Sequence, residues 1–170
     1  MPTRFSRVLL WLFVIDLGIA FGAGLYEHRI VVPQWLTSSP DGMLHWHAQA
    51  VEQDDTGRRF WVFVTTGPLT LLTLASLILA RRTTGLLRQW WLTAAVLSLL
   101  DRILTFAYFI PAMVGLMSAP DSAESVATAV RWSNLNYLRH AIVLAAWISA
   151  LKAFASMYQG HRTRVALDRR

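Results

Sequence analysis

The chain has 170 residues, 55% of them apolar and 15% charged, with a mean hydropathy of +0.40, which points to one domain in a bilayer rather than a water-soluble enzyme. The absence of cysteine excludes disulfides, iron–sulfur clusters, thiolate zinc sites and dithiol redox chemistry. The net charge of +6 calls for no nucleic-acid partner, because the basic residues sit where membrane topology requires them and no recognition motif accompanies them.

Four stretches reach the roughly 20 apolar residues that a helix needs to cross a hydrocarbon core of ~30 Å. They run over about 8–30, 60–80, 90–112 and 132–158, so the expected fold is all-α, an integral membrane bundle of four transmembrane helices in a single domain over 1–170. The first stretch follows Arg4 and Arg7 and ends in small residues, as a signal peptide does, but Asp16 inside it argues for a retained helix. Its Gly18 and Gly22, interleaved with Ala20 and Gly24, suit close packing of another helix. Glu27, His28 and Arg29 close it, and Pro33 acts as a stop before an outer loop over 31–59 that carries Met43, His45 and His47. In the second stretch Gly67 and Pro68 predict a kink or a cavity, since proline removes one backbone hydrogen bond. The third contains Asp101, Arg102 and Tyr108 and stops at Pro111. The fourth opens with Trp132, Asn134, Asn136, Arg139 and His140. Trp35, Trp46, Trp61, Trp90, Trp91 and Trp132 fall where an interfacial aromatic belt is expected.

Basic residues near helix ends stay on the cytoplasmic side. Arg4, Arg7, Arg81, Arg82, Arg88, Arg162, Arg164, Arg169 and Arg170 collect on one side of an alternating bundle, so both termini are expected to be cytoplasmic. The other side holds Asp41, Glu52, Asp54, Asp55, Asp121 and Glu124 beside Arg29, Arg58, Arg59 and Arg131. A single lysine against many arginines suggests a GC-rich bacterial genome, and hence a bacterial inner membrane.

Ionisable groups inside a span are costly and mark sites by default. By helical rise, Asp101 and Arg139 both lie roughly 12 to 15 Å below the outer surface, close enough in depth to pair, with the Gly67–Pro68 break at a similar level. Glu27 and His28 lie somewhat above them. Asp16 is deeper, and Arg102 is its expected partner. Asn136, Arg139 and His140 share a helical face with Trp132, and an amide, a guanidinium and an imidazole together orient an oxygen-rich ligand, stabilise an oxyanion and accept a proton. The candidate catalytic set is therefore His140, Arg139, Asn136 and Glu27, with His28, Asp101, Tyr108 and Trp132 as candidate ligand-binding residues. The competing structural expectation is a satisfied polar network that locks the bundle through an Asp101–Arg139 salt bridge.

Imidazole and thioether groups in the outer loop make His45 and His47 candidate ligands for copper or zinc, although an HxH pair shares a face only in extended chain. A heme would need two facing histidines among His28, His45, His47 and His140. No cofactor is otherwise expected.

The opening of the fourth helix, RWSNLNYLRH, resembles the tryptophan, asparagine and arginine pattern of the anthrone oxygenase-like family, many of whose members are known only as a domain of unknown function. LTFAYFIPAM is similar to the threonine and proline ending of that family's third helix, and FGAGLYEHRIVVPQW to its glycine-rich first helix running into a proline. Ala112, Met113 and Val114 stand where that family often has an asparagine. The resemblance carries Trp132, Asn136, Arg139, Thr105 and Pro111 into the site. It implies cofactor-independent oxidation of an anthrone-type aromatic by dioxygen, with His140 or Glu27 as base and Arg139 with Asn136 holding the oxyanion. The alternative is a non-catalytic membrane protein that binds a ligand, quinone, metal or partner in the same polar pocket. Expected partners are the lipid bilayer and a lipophilic small molecule, and the glycine-rich faces also make a homodimer a candidate.

Overall fold

A computed structural model describes residues 3–53 and 59–167, with the side chains of residues 52, 53 and 159–167 outside the description. Asp54, Asp55, Arg58, Arg169 and Arg170, which enter the charge asymmetry, lie outside the described residues. The chain is mostly helical, and four helices are long and apolar enough to cross a membrane: Arg4–Trp35, Trp61–Arg81, Gly85–Met117 and Ala123–Tyr158. They form a closed ring in which the first packs against the second and fourth, and the third against the second and fourth.

The first, third and fourth run beyond the apolar stretches, because capping and turn chemistry lie outside the hydropathy signal. Thr3 caps the first helix by accepting the Ser6 amide at 3.1 Å. Ser122 does the same for the Ser125 amide at 3.2 Å in front of the fourth. Between the second and third helices, the Thr83 hydroxyl donates to the Ala80 carbonyl at 2.7 Å, and Gly85 takes a φ of +65° that favours glycine.

Pro33 and Pro111 do not stop their helices. Each lies inside a helical segment that continues past it, Val32–Trp35 and Ile110–Met117. A π-helical turn stands before each of these prolines and before Pro68: Glu27–Val31, Thr105–Phe109 and Trp61–Thr66. Val32, Gly67 and Ile110, each immediately ahead of its proline, donate to carbonyls five residues back on Glu27, Val62 and Thr105. The wider loop gives room to the ring that would otherwise strike the carbonyl four residues back, so the helix swells and continues.

The first and second helices are joined on their way by an antiparallel hairpin, β1 (Leu36–Ser38) and β2 (Leu44–Trp46), followed by the short helix Ala48–Gln53. Thr37 lies opposite His45, and Gly42 turns the hairpin with a φ of +83°. The stretch expected to be a loop over 31–59 thus contains regular structure, and the hairpin is a small β addition to an otherwise helical fold.

Two apolar clusters divide the bundle. Towards the termini, Leu10, Phe13, Leu17, Leu69, Trp91, Ala146 and Ala150 are fully enclosed, and the small alanines let the third and fourth helices approach closely. At the hairpin end, Val32, Trp35, Trp46, Phe109, Leu116 and Trp132 form the second cluster. The outward faces carry large apolar side chains on every long helix, among them Phe5, Phe63, Leu71 and Ile103.

Candidate functional site

Buried polar groups gather beside the three π turns. Asp101 has no solvent exposure and takes two cations: Arg102, its own neighbour, bonds Oδ2, and Arg139 from the fourth helix holds Oδ1 in an ion pair at 3.4 Å. Arg102 therefore engages Asp101 directly, with Asp16 left as a more distant electrostatic neighbour whose Oδ2 is buried and unpartnered among the described residues. The Arg139 guanidinium also lies over the Phe109 ring at 5.0 Å and the Trp61 ring at 5.8 Å. The Trp61 indole N–H donates to Glu27 Oε1 at 2.8 Å, which brings a second carboxylate into the electrostatic field of Arg139. Asn136 is buried and donates back to the Trp132 carbonyl at 3.2 Å, and Trp132 donates to the Phe109 carbonyl at 3.2 Å.

The histidines of the two helices behave differently. His28 stands in the first π turn and His140 one helical turn inward of Asn136, and their ring centres are 5.8 Å apart. They are 7% and 9% exposed, and His28 Nδ1 and His140 Nε2 have no hydrogen-bond partner among the described residues. The approach depends on Gly24: a Cβ there would run into His140 Nε2, so the bare glycine backbone is what admits the ring. Gly24 and His28 are four residues apart, hence His140 meets the first helix directly along the face that carries His28. Tyr137 covers His28 from outside, edge-on, with ring centres 4.2 Å apart. The Tyr108 hydroxyl is a further buried group without a partner among the described residues.

No protein-family model matches the chain, and no curated protein or solved structure does. The chemistry rests on these residues alone.

His45 and His47 lie at the hairpin, apart from that group, and each has its own partner. His45 Nδ1 meets Asp121 Oδ2 at 2.7 Å and His47 Nε2 meets the Thr37 hydroxyl at 2.6 Å. Among the described residues no three histidine or carboxylate side chains gather as a metal-binding group. Of the four histidines considered for a heme, His28 and His140 are the two brought together. Asp121 also accepts the Trp46 amide at 2.8 Å, and the Trp46 indole donates to the Leu116 carbonyl at 3.0 Å. The Trp46 amide and then His45 stabilise the Asp121 carboxylate, which holds its pKa below the ordinary carboxylate value. A surface cavity of about 250 Å³ opens beside this clasp, lined by Trp46, His47, Gln49, Pro120 and Asp121 among others.

Several residues in these contacts lie outside the candidate set. Trp61 reads from sequence as part of the aromatic belt, yet it positions Glu27. Gly24 carries only a packing signal there, and Asp121 only a charge.

Proposed function

We propose that the chain is an integral membrane protein whose four long helices cross the bilayer with both termini cytoplasmic, in a bacterial inner membrane. The outward apolar faces support this, because a water-soluble bundle hides such side chains, and the collection of arginines at the terminal end supports the orientation.

Within that membrane the protein acts as an oxygenase-like enzyme on a lipophilic, anthrone-type aromatic. The observation that carries this reading is the His28–His140 pair, two adjacent buried imidazoles with unpartnered nitrogens beside a guanidinium. A free imidazole nitrogen removes the acidic C–H proton of such a substrate. The resulting carbanion, delocalised onto the ring oxygen, is an anion for which Arg139 is the nearby positive charge. It transfers electrons to dioxygen and forms the new C–O bond, and loss of water from the hydroperoxide leaves a carbonyl. The balance is CH2 plus O2 giving C=O plus H2O. Glu27, bonded to Trp61 and within the electrostatic influence of Arg139, is the alternative base. Asn136 and Trp132 brace the same wall, and Tyr108 offers a hydroxyl to the ligand.

A second reading rests on the Asp101–Arg139 ion pair, which occupies the guanidinium and suits a non-catalytic ligand-binding protein. Oxygen uptake and anthraquinone absorbance separate the two, measured with anthrone and nanodisc-reconstituted protein against the spontaneous oxidation. Wild-type protein accelerates both, and His140→Asn or His28→Asn abolishes the acceleration. Binding of anthrone without any acceleration leaves the non-catalytic reading.

A further inference from the structure

The histidine pair lies beside several fastened seams, and towards the outside between the first and fourth helices its cover is an aromatic ring. Above it, the hairpin is clasped to the third–fourth connection by Asp121, and Trp46 donates to Leu116. The seam between the first and second helices is tied by the Trp61 to Glu27 hydrogen bond. The seam between the third and fourth is tied by Trp132 to the Phe109 carbonyl and by Arg139 to Asp101. Between the first and fourth helices, His28 is covered by the Tyr137 ring, which is 53% exposed and touches it edge-on. No hydrogen bond fixes the Tyr137 hydroxyl among the described residues.

We infer that the ligand reaches the histidine pair sideways from the lipid, between the first and fourth helices, and that Tyr137 is the specificity-determining residue of that passage. This rests on the reading of the pair as the chemical site. A half-exposed ring in edge-on contact swings aside at smaller cost than a wall in which hydrogen bonds or buried ion pairs must break. The molecules admitted are flat and apolar enough to dissolve in the acyl chains, and they slide past an aromatic edge. A hydrophilic molecule of the same size has no such path.

Histidine labelling tests the route without using turnover. Wild-type protein in nanodiscs is treated with diethyl pyrocarbonate, and modification of each histidine is followed by peptide mass spectrometry, with His45 and His47 as internal standards. Tyr137→Ala raises the labelling rates of His28 and His140 by roughly three- to tenfold, the change expected on losing one edge-on aromatic contact. Tyr137→Phe leaves them unchanged, because the ring and not the hydroxyl forms the cover. Trp46→Ala, which loosens the aqueous side, leaves the pair protected. If Trp46→Ala exposes the pair, or if neither variant does, the lateral route is wrong. In turnover with anthrone, Tyr137→Ala changes KM more than kcat, and an equal fall in kcat and kcat/KM contradicts the role. Loss of turnover in all forms with the labelling pattern intact discards the base assignment and leaves the route standing.

Discussion

Two groups of ionisable side chains share the hairpin half of the bundle and are built on opposite rules. Asp101, Arg102 and Arg139 are joined by ion pairs of opposite charge, with the rings of Phe109 and Trp61 against the last. His28 and His140 are as deeply buried but have nitrogens without partners, and a bare glycine is what brings them together. Paired charges hold a structure, and unpaired imidazoles are available for chemistry. The contrast assigns the Asp101–Arg102 pair to architecture and the histidines to proton transfer, with Arg139 at the join, paired to Asp101 and close enough to His140 to act on it electrostatically.

The largest effect is expected in the paired group. Asp101→Ala removes the ion-pair partner of two guanidiniums, and breaking a buried pair by removing one partner costs ~3–5 kcal/mol. Thermal unfolding in detergent should show either a collapse of the midpoint or failure to accumulate folded protein. Normal stability would mean that the network does not hold the bundle.

The glycines of the first helix offer a graded series. Gly24→Ala forces a methyl into His140, and overpacking of this kind costs ~1–3 kcal/mol. Gly18→Ala presses on Trp147 at 3.2 Å and costs less. Gly22→Ala meets nothing and stays within about 0.5 kcal/mol of wild type. The same melting curves give the order, and a Gly22 cost equal to that of Gly24 would refute the close approach.

His140→Leu gives the sharpest contrast. His140 Nε2 has no side-chain hydrogen-bond partner among the described residues and the ring leans only on the Asn136 and Gly24 backbone, so replacing it by an apolar side chain of similar size costs little, within about 1 kcal/mol. The variant should melt with wild type while losing ligand chemistry. A strong destabilisation would place His140 in the structural group.

Acid gives the smallest effect, outside the bundle. The Asp121 carboxylate is stabilised by the Trp46 amide and His45, so its folded pKa lies below its unfolded value. Its contribution to the hairpin clasp is present above the ordinary carboxylate pKa of ~3.9 and is lost as pH falls through the depressed folded value. Hydrogen exchange at the Trp46 amide should accelerate in that acidic window, and Asp121→Asn should weaken the clasp at neutral pH. Unchanged protection in both would detach Asp121 from the hairpin.

The four long helices are readable from apolar length, and the depth argument anticipates Asp101 beside Arg139, because helical rise converts residue count into height with little error. What it misses comes from register. Three π turns each insert an extra residue ahead of a proline and rotate the remainder of the helix, so hydropathy alone does not reveal that His28 faces His140. For the same reason Pro33 and Pro111 look like stops in the sequence and are not. The three-residue strands are too short to show a periodicity, and the Asp121 clasp joins positions 76 residues apart, which no local pattern encodes. Depth alone pairs Arg102 with Asp16, yet a carboxylate on the adjacent residue is simply nearer.

The most direct test of the central claim is an absorbance titration of nanodisc-reconstituted protein with anthrone under nitrogen, where no oxidation competes. The account predicts that the anion band of the ligand appears on binding to wild-type protein and is missing with His28→Asn and His140→Asn at equal ligand occupancy. An anion band that survives in both variants, or none in wild type with ligand bound, would contradict the assignment of the histidine pair as the base.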